Sequence, residues 1–337
     1  MKRPSTPSPT PPPAPSGRLV WDLAGPDRAL ALACEDLRAG RYASTRDLLA
    51  TTVDTDVRCY RTLVLAGPAA GTGAVDRWLE AEPDNPHCAA LRARTAVVRA
   101  ARAQREKSRH TSELVARARD ACELAAGIAP GDPVPLVALL HLATIAPTPV
   151  PAPPDVDVDV AGPWDLMARV WRLDTYNREA HQRLLAAVGP RGSGSVADMF
   201  HVARRLAAGA PHGSSLLVLP LLGYVESFRA HAGESWRQRV VLADRQWSTA
   251  HAHTEIENAY HRWFAAGSGD APGGADRRLA PDLHHLAHAL WAAGMNEPAA
   301  EVFGVLGPYA STVPWSLHGD PETVLLQARA RCGLPAP

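Results

Sequence analysis

Residues Trp164 to Glu226 read WDLMARVWRLDTYNREAHQRLLAAVGPRGSGSVADMFHVARRLAAGAPHGSSLLVLPLLGYVE, and their spacing decides the fold class. Met167, Val170 and Trp171 share one helix face. Ala180, Leu184 and Val188 recur at i, i+4 and i+8, and Met199, Val202 and Leu206 at i, i+3 and i+7. Leu216, Leu219, Leu222 and Val225 mark a fourth segment. This is helical periodicity, and strict alternation is absent. Turn chemistry separates the segments: Asp174 to Asn177, Gly189 to Ser195, and Gly209 to Ser215. Ser195 with Asp198 forms a capping-box variant at the start of the third helix. The stretch therefore predicts antiparallel helices joined by short polar turns.

The same pattern extends outward. Asp27 is placed to cap a helix carrying Leu30, Cys34 and Leu37. Helices are expected over Ala43–Ala50, Asp56–Leu65, His87–Arg105, Thr111–Ala126 and around Leu136–Ala143. Further ones are expected over Ser235–Thr249, Ala252–Ala265, Leu279–Ala293, Glu297–Leu306 and Pro321–Cys332. Gly67 to Gly73 reads as a loop, since its G-x-G lacks a dinucleotide fingerprint and a βαβ context. Pro147 to Pro163 reads as a long surface loop or linker. Alternation at Val156–Val160 is the only strand signal, and the adjoining prolines favour an extended loop. The domain organisation is a disordered Pro-rich arm at 1–17, N-terminal helical repeats at 18–146, the loop or linker at 147–163, and C-terminal helical repeats at 164–337.

Composition bounds the function. Thirty-five Lys and Arg against thirty-five Asp and Glu give zero formal charge, which argues against a chain whose main task is coating nucleic acid or an anionic membrane. Five scattered cysteines form no C-x-x-C pair; four lie in helical patterns, where a thiol behaves as a small hydrophobe. The N-terminus lacks the apolar region of a secretory signal, and no apolar run reaches the roughly 20 residues of a membrane span. A cytoplasmic location is expected. The helix from His87 to Arg105 places Arg92, Arg94, Arg99, Arg102 and Arg105 on a basic, solvated side.

Three joints are alike: AEPDNPHCA at Ala81–Ala89, IAPGDPVPL at Ile128–Leu136 and LDTYNREAH at Leu173–His181. Pro83, Pro130 and Thr175 in them stand 47 and 45 residues apart, a period of stacked helix pairs. The L-D-x-x-N-x-x-A run at Leu173–Ala180 resembles the junction between tetratricopeptide-type (TPR) repeats. Leu37-Arg-Ala-Gly-Arg-Tyr and Ala292-Ala-Gly-Met-Asn-Glu-Pro-Ala resemble the turn inside such a repeat. The order of Trp78…Glu82-Pro83-Asp84, Ala129–Pro133, Leu173–Ala180, Gly194–Arg204 and Ser214–Glu226 resembles an uncharacterised actinobacterial family of TPR-like helical-repeat proteins, a domain-of-unknown-function group. That resemblance implies an all-α, α-α superhelix that binds other proteins, and it carries over no catalytic residue.

The expected function is a non-enzymatic scaffold binding another protein or a peptide, without cofactor or metal. Arg172, His201, Arg204 and Arg205 lie beside the apolar stripes of two central helices, where they can rim a groove. The alternative is a metal-dependent enzyme. His251 and Glu255 stand at i, i+4, and His284, His285 and His288 cluster on a later helix. Neither H-E-x-x-H nor the di-iron E-x-x-H pair is present, and the bland reading is exposed polar helix positions. Nucleic-acid binding through Arg99–Arg109 is a third, local reading.

Overall fold

The helices begin where capping residues stand. The computed structural model describes residues 18–156, 158–230, 245–268 and 278–335; among these it is all-helical, with two isolated β-bridges and no strand. Taken two by two in chain order, the first five pairs of helices are α1 (Arg28–Arg38) and α2 (Ala43–Thr51), α3 (Thr55–Ala69) and α4 (Ala74–Ala81), α5 (Pro86–Arg105) and α6 (Thr111–Ile128), α7 (Val134–Ala143) and α8 (Trp164–Trp171), and α9 (Arg178–Val188) and α10 (Val196–Ala208); α4 packs on α5 rather than on α3. Then come α11 (Leu219–Ala230), α12 (Ala250–Ala259) running into a π turn at Tyr260–Phe264, α13 (Ala280–Ala292), α14 (Asn296–Leu306) and α15 (Pro321–Arg331).

Each odd-numbered helix of the first five pairs starts at a side-chain oxygen that takes an orphan backbone N–H. Asp27 accepts from Leu30 at 3.0 Å, Asp54 from Val57 at 3.0 Å, and Asn85 from His87 at 2.9 Å. Asp132 accepts from Val134 at 3.0 Å and Asn177 from Ala180 at 2.9 Å. The last three are the joints that looked alike in sequence. The Ser195–Asp198 box closes in both directions, at 2.9 and 3.1 Å. At the α13–α14 hairpin Gly294 has φ +77°, a conformation that favours glycine.

Packing follows the apolar stripes. α1 packs on α3, α3 on α5, α5 on α7 and α7 on α9. Three large apolar cores result, with a small fourth cluster of Val225, Phe228 and Leu317. The first centres on Leu37, Leu65 and Trp78, whose ring stacks on Tyr42 at 5.7 Å. The second holds Val97, Leu140, Met167 and Leu184. The third holds Leu219, Ile256, Leu286, Phe303 and Trp315. The second core runs from Cys59 to Val202 without a break at 147–163. There Val150 bridges Gly162, and the Trp164 indole donates to the Val160 carbonyl at 2.8 Å.

In an open one-dimensional stack each unit meets only its neighbours; here distant units also touch. α3 packs against α7 and α9 as well as α5. The N-terminal segment closes on the other end of the chain: Val20 exchanges backbone hydrogen bonds with Pro308 and Ala310, both at 2.9 Å. Leu19 joins the third core. The arrangement curls on itself, which the α-α superhelix expectation did not contain.

Other expectations change. Arg94 is not on a solvated face; it is fully buried and paired with Glu179. α5 is covered by α3, α6 and α7, so helical period alone could not say which side meets water. Gly67 and Pro68 belong to α3, with Pro68 in the last turn, where the bond lost with its N–H is confined to the helix end. Among the described residues of Val156–Val160 there is no strand; Val156 ends a single 3₁₀ turn at Pro154–Val156. The Pro-rich arm and most of the expected Ser235–Thr249 helix lie outside the described residues.

Candidate functional site

The first turn of α9 is the most polar point of the interior. Asn177, Arg178, Glu179 and His181 are all buried. Buried charge is tolerated only when paired and hydrogen-bonded, and Asn177, Arg178 and Glu179 each have partners far away in sequence. Glu179 accepts from both terminal nitrogens of Arg94 on α5, at 2.8 and 2.6 Å, and from Arg183 at 3.0 Å. Burial pushes the Glu179 carboxyl up, but the two guanidinium groups outweigh it and hold it below its ordinary value. Arg178 binds Asp282 on α13 through Nε and through Nη2 at 2.7 Å. Gln182 donates to the same carboxylate at 3.1 Å.

α3 crosses this region and touches all three joints. Arg58 reaches His87 at 3.0 Å and Asp132 at 2.6 Å. Asn177 donates to the Cys59 sulfur at 3.6 Å. Asp56 accepts from the Arg178 backbone N–H at 2.9 Å. Burial pushes the Asp56 carboxyl up to about 7, against Arg178 and with a further push from Asp174 and Asp54. The His181 ring faces the Asn177 carbonyl at 2.7 Å through Nδ1 and accepts from the Trp171 indole at 3.1 Å. Burial pulls it down to about 4, so it is neutral at pH 7.

A cleft of about 420 Å³ opens directly over this polar point. Its walls come from five segments: Asp54–Asp56 at the start of α3, Asp174–Arg178, Pro211–Ser215, Trp263 with Gly267, and Arg278–Asp282. A second groove of about 260 Å³ lies alongside, lined by Val156, Trp171, His181, Arg205, Leu206 and Leu216. Tyr176, 46% exposed, lines both. The result is two chambers sharing one aromatic wall, one bearing carboxylates and the other mostly apolar.

The sequence-derived contact residues fall unevenly around this feature. Arg205 lines the second groove. Arg172 and His201 are exposed and line neither chamber. Arg204 turns away to Glu255 at 2.7 Å, its guanidinium 4.8 Å over the Phe200 ring. Sequence reasoning missed Asp56, Tyr176, Arg178 and Asp282. The third joint contains Tyr176 and Arg178, but the partners of Arg178, Asp56 and Asp282, stand 122 and 104 residues away.

The histidines of the metal-enzyme alternative do not converge. His251 meets Glu255 at 3.1 Å, and Glu255 is also held by Arg204. His284 and His288 are buried among Trp247, Trp291 and Trp315, not exposed as expected. His284 Nδ1 accepts from the Trp315 indole at 3.0 Å, and His288 Nε2 faces His318 Nε2 at 3.0 Å. Burial lowers His284 to about 4 and His285 to about 3. Among the described residues no three His, Cys, Asp or Glu side chains form a group that would hold a metal ion. No helix among them is long and apolar enough to cross a membrane. No protein-family model, no curated protein and no solved structure matches this chain.

Proposed function

We propose that this chain is a non-enzymatic scaffold of TPR-like helix pairs that holds a peptide, or an extended segment of another protein, in the two chambers around Tyr176. Support for the TPR-like reading comes from the three joints, each with an Asn or Asp oxygen that takes a first-turn N–H, and the successive packing of the odd-numbered helices. The resemblance to the actinobacterial TPR-like family points the same way. Four fully buried, unpaired cysteines suit a cytoplasmic location. The observation that carries the functional reading is the joined pair of chambers itself. Two adjacent concave sites of different chemistry suit successive side chains of an extended ligand.

Rigid helices and a half-exposed tyrosine bind at low entropic cost, and central aromatics dominate such interfaces. Selection of displayed peptides on the purified protein tests the proposal. The selected peptides are expected to lose about 30-fold or more in affinity against Tyr176→Ala, the loss of a hot-spot residue. Selection that returns no peptide, or peptides indifferent to both Tyr176→Ala and Arg205→Glu, would sink it.

A further inference from the structure

We infer that the bound segment is basic: a lysine or arginine side chain enters the chamber lined by Asp56 and Asp174, and a neighbouring apolar residue packs against Trp171, Leu206 and Leu216. The inference rests on the groove reading above and adds the chemistry of the partner. Two of the carboxylates that line the chamber have structural duties. Asp54 caps α3, and Asp282 is the counter-ion of the buried Arg178. Asp56 and Asp174 differ. Asp56 accepts from a backbone amide and Asp174 from the Asn177 side-chain amide at 3.0 Å, neither of which carries charge.

Both still face the cleft. Like charges close together in a half-buried site destabilise each other, and an opposite charge between them relieves this. Arg278 also lines the chamber, but its guanidinium stacks on Phe264 at 4.4 Å and donates to the Phe264 carbonyl at 2.8 Å. A cation entering from outside would find two carboxylates with Tyr176 and Trp263 in the chamber lining, a setting that favours guanidinium and ammonium groups. An acidic side chain would meet repulsion there. The adjoining chamber offers a neutral imidazole and apolar walls, with the cationic Arg205 also in its lining, so it suits an uncharged neighbour.

The test uses the full chain and three fluorescent peptides of one length: a Lys/Arg–Leu peptide, its glutamate counterpart and its glutamine counterpart. The basic peptide is expected to bind at least 30-fold tighter than the glutamate one, with Tyr176→Ala and Asp174→Asn each weakening it. Binding is also expected to tighten from pH 6 to 8 as Asp56 ionises, by up to about tenfold per unit for one linked proton. Asp56→Asn should flatten that profile. The other titratable and charged groups facing the chamber are Asp54 from α3, Asp174, Tyr176 and Arg178 from the third joint, His212 from the 211–215 loop, and Arg278 and Asp282 at the start of α13. His212→Gln is therefore the control, and it should leave the profile intact. If no peptide binds in a Tyr176-dependent way, the groove reading itself fails. If the glutamate peptide binds as tightly and still depends on Tyr176, the groove stands and the basic partner is refuted. A profile abolished by His212→Gln but kept by Asp56→Asn also overturns the assignment.

Discussion

Replacing Glu179 with glutamine should be among the most damaging single-atom changes available in this protein. It leaves Arg94, 1% exposed, with no carboxylate partner. The four nitrogen–oxygen contacts at 2.6 to 3.2 Å become neutral or are lost. Breaking a buried pair from one side costs about 3–5 kcal/mol, because the remaining charge cannot reach water. Total stability is usually about 5–15 kcal/mol, so this is a large share. With an unfolding entropy of roughly 2.1 cal/mol/K per residue, a chain of 337 residues loses about 4–7 °C in Tm. Thermal unfolding followed by circular dichroism reads this directly. Removing both charges together, as Arg94→Met with Glu179→Leu, should return most of the loss, since apolar replacement of a buried pair is often neutral. Arg183, with 23% of its side chain exposed, can then turn to solvent. The pH dependence has a definite sign. Glu179 titrates below its ordinary value when folded, so its contribution is full above about 4.5 and is lost as pH falls through the folded value. A Tm change under about 1 °C for Glu179→Gln, or a double variant as unstable as the two single losses added, would refute this reasoning.

Three further outcomes are expected. Trp78→Ala removes a fully buried indole that stacks on Tyr42 and donates to Glu82 at 3.2 Å; the cost should be about 3–5 kcal/mol in urea denaturation, with loss of near-ultraviolet dichroism. Asp56 has a folded value of about 7, above its ordinary 3.8, so the folded chain holds the extra proton between those limits and wild type loses stability as pH rises through them. Asp56→Asn should match wild type in Tm at pH 4 and exceed it at pH 8. His284 and His285 have folded values near 4 and 3, below the ordinary 6.5. The unfolded chain therefore protonates first, and the urea midpoint should drop as pH falls from 6.5 toward 4, less steeply in His285→Gln.

The helices and their starts were legible because their causes are local. The three similar joints were read as places where a helix opens, and there Asn85, Asp132 and Asn177 each accept a first-turn N–H. The Ser195–Asp198 box needed only four residues to be recognised. What sequence could not supply was which polar residues point inward. Arg94 has the same helical spacing as its exposed neighbours, and only the helices packed around α5 bury it. His284 and His288 are equally ambiguous, since a neutral imidazole suits a core as well as a surface. The cleft was invisible for a simpler reason: its walls come from five segments spread between residues 54 and 282. Of the four residues expected to rim a groove, Arg205 lies on one because the α10 stripe faces the Trp171–Tyr176 turn. Arg204, on the next position, is drawn to Glu255 on α12.

The central claim is that the first turn of α9 ties the front, middle and back of the chain into one cooperative body, with the two-chamber groove above it. Native-state hydrogen exchange in graded urea measures this residue by residue. Amides in α3, α5, α9 and α13 should exchange only through the same global opening, and Glu179→Gln should lower that shared limit in all four together. Separate opening of residues before 147 and after 163, with α9 exchanging alongside only one of them and unaffected by Glu179→Gln, would contradict the account.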